Sequence, residues 1–312
     1  MQTDSPAAWR EARSFHHSRF GEELLRSRAA RISVCLPARD CAATIGPIVA
    51  TLDAMRGRGL IDEIVVIDGA SSDDTARIAA QAGARVHGEA ELMPGSGPVL
   101  GKGDAMWRAL SVLEGEIVCF VDADLEQFEP HYVTGLAGPL VELEEIEFVK
   151  AFYRRPFRVG ALEVADGGGR VNHLLARPAL AIFYPELAGF DQPLAGEVAA
   201  RRSLLERIPF TTGYGVEIAM LLDAFTAVGL DGMAQVDLDV HHNRHQPLLE
   251  LSAMAYEILA VIAARLEREG RLNGLHASPL LGRTEPRGSL PDPLTRPAAM
   301  PASERPPMLD AR

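Results

Sequence analysis

The sequence predicts an α/β protein built on a doubly wound, Rossmann-like sheet, and three observations predict it. Short runs that are apolar throughout alternate with helical stretches. Each run stops abruptly at polar residues. The chain, at 312 residues, is long enough to bury a sizeable core. The strand candidates of the first half are 31–37 (RISVCLP), 61–69 (IDEIVVIDG), 84–87 (ARVH) and the run Ile117–Val121 that ends at Asp122. Helices are expected from about Thr44 to Met55, from Ser71 or Ser72 with acids in the first turn, and over Asp104–Leu113. Ligands in such sheets sit at the carboxyl ends of the strands. Pro37-Ala38-Arg39-Asp40, Asp68-Gly69-Ala70-Ser71 and Asp122-Ala123-Asp124 should therefore open on one crevice.

Residues 1–30 read as an N-terminal charged helix, 31–125 as the nucleotide-binding half and 126–270 as a second, less regular half. That second half has strands at 147–155 and 234–240 and helices from Val171, near 201–208, over 215–228 and from Leu248 to about Glu269. Residues 278–312, rich in Pro, Ser and Arg, are expected to be a disordered tail.

Acids outnumber bases 43 to 31, for a formal charge of −12, which disfavours nucleic acid and anionic lipid as partners. The first residues lack the apolar core of a signal peptide, and no run of about 18 uncharged apolar residues occurs, so no membrane span is expected. The three cysteines, Cys35, Cys41 and Cys119, suggest no disulfide framework and fit a cytoplasmic protein.

Asp122 and Asp124 are alternate residues at a strand end, so in strand geometry both point to one side. Two such anions repel unless something positive lies between them. A Mg²⁺ or Mn²⁺ ion bound to a diphosphate meets that need, with carboxylate and phosphate oxygens sharing the cation. The bland reading of Asp-X-Asp is a solvated turn; the buried run before it favours the metal. Lys102, between Gly101 and Gly103 just before a helix, is placed to reach a phosphate, although the spacing is not that of a Walker A loop.

Charge is segregated. Asp104–Glu147 holds eleven acids and one base, whereas Val149–Pro178 holds six bases and two acids. A basic island in an acidic chain suits a small anion. Within it, Gly167-Gly168-Gly169-Arg170-Val171-Asn172 offers backbone N–H groups, a helix start and side-chain donors to a phosphate or carboxylate. The chain thus carries two anion sites, one suited to a nucleotide diphosphate and one to a small phosphorylated acceptor.

These residues resemble the actinobacterial-type glucosyl-3-phosphoglycerate synthases and the related mannosyl-3-phosphoglycerate synthases, retaining glycosyltransferases of the GT-A fold. The resemblance runs from about residue 31 to 265. It is carried by Leu36-Pro37-Ala38, Asp68-Gly69-Ala70-Ser71-Ser72-Asp73, Gly101-Lys102-Gly103, Asp122-Ala123-Asp124, Lys150-Ala151-Phe152-Tyr153-Arg154-Arg155-Pro156, Gly167-Gly168-Gly169-Arg170-Val171, Gln192-Pro193-Leu194-Ala195-Gly196-Glu197 and Gly213-Tyr214-Gly215-Val216-Glu217-Ile218. It implies a Rossmann-like mixed sheet with helices on both faces and an α+β acceptor-binding half. It implies transfer of a hexose, glucose first, from a nucleotide diphosphate sugar (UDP-glucose or GDP-mannose) to the 2-hydroxyl of 3-phosphoglycerate, with Mg²⁺ or Mn²⁺ as cofactor and a homodimeric assembly.

By the same resemblance Pro37, Ala38 and Arg39 line the base, with Asp68 and Gly69 close by. Lys102 holds the diphosphate or sugar, Asp122 and Ala123 lie by the ribose and sugar, and Asp124 binds the metal. Gly169, Arg170, Val171 and Asn172 hold 3-phosphoglycerate, and Glu217 contacts the transferred sugar. Three departures stand out. Asp40-Cys41 replaces a family Asn-Glu, Asn172 stands where Thr is common, and Asn243 falls where the second metal ligand, a histidine, is expected. Either His242 takes that ligand role by a one-residue shift, or His245 contacts substrate, or both. Other classes remain in view. Nucleotidyl transfer is disfavoured by the lack of a Gly-rich loop after the first strand, and polyprenyl-phosphate transfer by the lack of a membrane segment. A nucleotide-sugar-binding homologue with another acceptor, or none, would bind without releasing nucleoside diphosphate.

Overall fold

The computed structural model describes residues 5–159, 162–164, 167–241, 248–272 and 303–311. The N-terminal segment is two short helices, α1 (Pro6–Arg13) and α2 (Glu22–Arg26), with a strand between them, β1 (Ser14–His16). The expected single helix is interrupted because Ser14–His16 pairs in parallel with the far edge of the sheet, and Trp9 of α1 is buried in the core. Tertiary pairing here overrides helical periodicity.

Then follow β2 (Ile32–Ala38), α3 (Ile45–Gly57), β3 (Glu63–Asp68), α4 (Thr75–Gln81), β4 (Arg85–Gly88), α5 (Lys102–Ala109) and β5 (Ile117–Phe120), the alternation expected from the apolar runs. The remaining elements are α6 (His131–Glu142), β6 (Phe148–Arg154), a β7–β8 hairpin (Phe157–Val159, Leu162–Val164), α7 (Arg177–Phe183), β9 (Val198–Arg201), α8 (Arg202–Arg207), β10 (Phe210–Thr211), α9 (Val216–Val228), β11 (Met233–Val240), α10 (Leu248–Arg268), β12 (Glu304–Arg305) and α11 (Met308–Ala311).

One mixed, eight-stranded sheet in the order β1-β11-β6-β9-β5-β2-β3-β4 runs through both halves. β9, which has no strand expectation in the sequence, makes this possible by pairing antiparallel with both β5 and β6. Two apolar clusters cover the sheet. One is built on α3, α6 and α2, the other on α5, α9, α10 and Trp9 of α1.

The described end of the chain, 303–311, is not a free tail. β12 pairs with β10, the Arg305 guanidinium meets Asp104 at 2.7 Å, and Met308 is fully buried. A proline-rich composition hides this docking, because only a few anchoring side chains carry it; residues 278–302 of the expected tail lie outside the described residues. Met308→Ala should lower stability by about 2–5 kcal/mol, as loss of a buried methionine does. Urea denaturation of the full-length chain checks this, and an unchanged midpoint would mean the segment does not dock.

Candidate active site

Three strand ends meet as expected. Ala38 and Asp68 are register partners on β2 and β3, and the Gly69 N–H donates to the Ala38 carbonyl at 2.8 Å. A Cβ on Gly69 would lie 3.3 Å from that carbonyl and 3.4 Å from the Arg39 Cβ, so the turn beside Pro37, Ala38 and Arg39 is tight. Asp40, in the left-handed region at φ 53°, clasps the next loop: its Oδ1 accepts from the Ser72 N–H at 2.7 Å. The Thr44 hydroxyl donates to the Ala123 carbonyl at 2.6 Å and ties the first strand end to the third.

At the centre, the Lys102 ammonium at the start of α5 donates to Asp122 Oδ1 at 2.6 Å and to Glu217 Oε1 at 2.8 Å. Burial opposes the lysine charge, but the two carboxylates outweigh it and hold the ammonium well above its ordinary pKa. Burial likewise pushes Asp122 up, but Lys102 outweighs it and holds that carboxyl below its usual range. Asp124, two residues on, has its carboxyl pKa raised by desolvation first and then by repulsion from Asp122. A carboxylate destabilised by a neighbouring carboxylate at a strand end is a donor set that a hard divalent cation fits.

Glycines set these distances. A Cβ on Gly196 would fall 2.1 Å from Asp122 Oδ2, and one on Gly103 would fall 1.9 Å from the Thr211 carbonyl. Lys102 is further held from behind. The buried Asp104–Arg108 pair and Arg305 bind carbonyls of the preceding loop, including Gly97 and Pro98, each at 2.7 Å.

Behind Asp122 lies a buried polar group: Lys150, Tyr153, Arg155 and Glu197 fall in the motifs that carry the resemblance, without an assigned role, and His241 falls in none of them. The Tyr153 hydroxyl donates to Glu197 Oε2 at 2.8 Å, and His241, at the end of β11, stacks on the Tyr153 ring at 4.2 Å. Arg155 Nη2 lies 3.4 Å from His241 Nε2. Lys150 Nζ and Glu197 Oε1 are buried and have no hydrogen-bond partner among the described residues. Burial, with the Asp122 charge added, pushes the Glu197 carboxyl up to about 7, and burial pushes the Lys150 ammonium down to about 8. The one sequence signal for this group is a charged residue within an apolar strand, Lys150 in FVKAF.

The glycine loop borders a second, basic cleft lined by Arg154, Arg155, Gly168, His173 and Arg177, with Arg10 entering from α1. The Gly168 N–H donates to the Arg155 carbonyl at 2.9 Å, and a Cβ there would meet the Arg155 Cβ at 2.5 Å. Gly169 takes φ 66° and opens the turn before the half-buried Arg170. Val171 is buried. Asn172 is buried too, its amide donating to the Asp191 carbonyl at 3.1 Å and its Oδ1 accepting from the Leu194 N–H at 3.4 Å. Its polar atoms thus tie the helix to the 191–194 loop. A π-helical turn, Asn172–Ala176, leads into α7. His242, Asn243 and His245 lie outside the described residues.

A family model for glycosyl transferase family 2 matches residues 33–160. The chain is 43% identical over 268 residues to the glucosyl-3-phosphoglycerate synthase of Petrotoga mobilis, covering 84% of this chain and 82% of that one. It is 43% identical to the solved mannosyl-3-phosphoglycerate synthase of Rubrobacter xylanophilus, with a TM-score of 0.89 over 100% of both chains. It is 40% identical to the glucosyl-3-phosphoglycerate synthase of Mycobacterium tuberculosis solved with Mn²⁺, UDP-glucose and phosphoglyceric acid, with a TM-score of 0.75 over 93% and 94% of the two chains. The mixed sheet and the paired carboxylates at its centre are those of a nucleotide-sugar glycosyltransferase. Within that class the chain belongs to the family of the glucosyl- and mannosyl-3-phosphoglycerate synthases.

Two outcomes follow from the geometry. Gly196→Ala should abolish nucleotide-sugar binding while the fold persists, read by calorimetric titration and circular dichroism. Because the Glu197 pKa is raised in the fold, the native state holds that proton longer than the unfolded chain does. Its contribution to stability is therefore lost as pH rises from 4.5 to about 7. Melting curves of Glu197→Gln against wild type should diverge in favour of the variant over that window; parallel curves would place the carboxyl in contact with water.

Proposed function

We propose that the protein is a retaining hexosyltransferase that moves glucose from UDP-glucose to the 2-hydroxyl of 3-phosphoglycerate, giving glucosyl-3-phosphoglycerate. The observation that carries this reading is the ammonium of Lys102 suspended between Asp122 and Glu217. Such a cation stands where a leaving diphosphate and the transferred sugar need, respectively, charge neutralisation and orientation. Asp124 would hold Mg²⁺ or Mn²⁺, with His242 the candidate second ligand, and the bound ion would stabilise charge on the departing diphosphate.

Pro37, Ala38, Arg39, Asp68 and Gly69 would line the base. The basic cleft by Gly169 and Arg170, with His245 as a further candidate, would fix the acceptor phosphate and carboxylate so that the 2-hydroxyl faces the anomeric carbon. Glu217, already paired with Lys102, would orient the sugar rather than attack it, and the leaving phosphate would take the acceptor proton on the same face. A second reading, mannose from GDP-mannose, is supported by one observation: the likeness to the solved mannosyl-3-phosphoglycerate synthase of Rubrobacter xylanophilus, with a TM-score of 0.89. The cytoplasmic assignment is supported by three free cysteines, two of them buried. The homodimer expected from the family is supported by the exposed Leu174 and Ile182 next to the acceptor loop. Among the described residues no helix is long and apolar enough to cross a membrane.

Nucleoside diphosphate release should require a divalent cation and 3-phosphoglycerate together, with UDP-glucose the best of a panel that includes GDP-mannose and GDP-glucose. Mass detection of the product names the sugar, and donor binding without release would sink the proposal. Lys102→Met should lower kcat by about 10²–10³-fold, the usual effect of removing one charge-stabilising donor. Mass spectrometry of wild type during turnover should find no sugar adduct on Glu217; such an adduct would overturn the same-face mechanism.

A further inference from the structure

The far edge of the sheet carries a cluster that the transferase site does not use. His16 ends β1, His17 follows it, and Asp239 lies near the end of β11. His17 Nε2 stands 2.7 Å from Asp239 Oδ2 and His16 Nε2 stands 3.3 Å from Asp239 Oδ1. One ligand atom from each of the three residues lies within 4.8 Å of the others. Tetrahedral Zn²⁺ with bonds near 2.0 Å spaces its ligands by roughly 3.3 Å, the separation at which His16 Nε2 and Asp239 Oδ1 already stand.

The local backbone aims Asp239 at the histidines. The β11–β6 ladder shifts register between Asp237 and Val240, and Asp239 takes φ 66°, a conformation few non-glycine residues adopt. The Asp239 N–H donates to Asp237 Oδ1 at 2.9 Å, which holds the kink. The imidazoles are supported as well. His16 Nδ1 lies 2.7 Å from the Ser18 hydroxyl and accepts from the Ser18 N–H at 3.3 Å; binding a cation at Nε2 moves the ring proton to Nδ1, which then donates to the hydroxyl. The His17 ring packs tilted against the His131 ring, with centroids 4.2 Å apart. His131 itself faces elsewhere, Nε2 toward the Leu238 carbonyl at 3.3 Å and Nδ1 toward Glu129 at 3.4 Å. His16 and Asp239 are each 47% exposed, so a metal here would keep positions open to solvent.

We propose that His16, His17 and Asp239 form a second metal site, selective for a borderline divalent ion of the Zn²⁺ type. Two imidazoles and one carboxylate match such an ion, whereas the carboxylate-led site at Asp124, with His242 as its one candidate nitrogen ligand, suits Mg²⁺ or Mn²⁺. Its occupancy cross-links the N-terminal segment to β11, two residues before His241 enters the transferase site.

The test is Co²⁺ titration of tag-free, full-length protein in excess Mg²⁺, which competes for the Asp124 site, followed by visible absorption and equilibrium dialysis. One Co²⁺ equivalent with a low-symmetry absorption band is expected, displaced by Zn²⁺, together with a Zn²⁺-dependent rise in melting temperature. Both signals should vanish in H16Q/H17Q and in D239N, a change that tolerates the left-handed backbone, and persist in H242Q. Melting in chelator separates loss of the site from loss of the fold. Absence of the band in wild type, its survival in both variants, or its loss in H242Q alone would overturn the proposal.

Discussion

The structure turns on one ammonium group. Lys102 sits between Asp122 and Glu217, and each of the three comes from a different element: the start of α5, the loop after β5 and the first turn of α9. Without a cation among them, two carboxylates would converge in a half-buried crevice at a cost that burial makes larger. The supports follow from that need. Gly196 and Gly103 allow approaches that any side chain would block, and the Asp104–Arg108–Arg305 group pins the loop that delivers the lysine.

The sheet order explains how distant segments reach the same place. β9 runs antiparallel between β5 and β6 and brings Glu197 and Gly196 against Asp122. β11 brings His241 onto Tyr153 from the other side. The basic cleft then borders the Asp122 crevice through Arg155, which faces both the glycine loop and the buried carboxylates. The two sites thus carry separate positive groups, Lys102 in one and the arginines of the basic cleft in the other.

Much of the donor half is legible in the sequence because its strands are buried on both faces. Ile32–Leu36 is apolar but for the buried Ser33, Ile64–Ile67 and Ile117–Phe120 are apolar throughout, and the polar residues that stop them mark the crevice. The acceptor half is less legible. β9 reads as Val-Ala-Ala-Arg, a four-residue strand with no strong β pattern, and its place is set by two antiparallel partners. The N-terminal strand and the docked 303–311 segment escape for the same reason: each is held by partners some 90 to 220 residues away. The buried set of Lys150, Tyr153, Glu197 and His241 is invisible as a set, because no spacing in the chain links residues that meet only across the sheet.

By itself, the sequence determined the α/β class, the three strand-end clusters, the Asp122–Asp124 pair, Lys102 and the glycine loop at 167–169. Each of these is a local pattern whose chemistry is set by neighbours in the chain. The tertiary structure decided which charges pair, that Asn172 ties two loops together, that the end of the chain packs beside Trp107, and that two histidines meet Asp239 at the sheet edge. Those outcomes depend on strand order and register, which are settled by burying the whole apolar surface at once, and no short window of sequence encodes that sum.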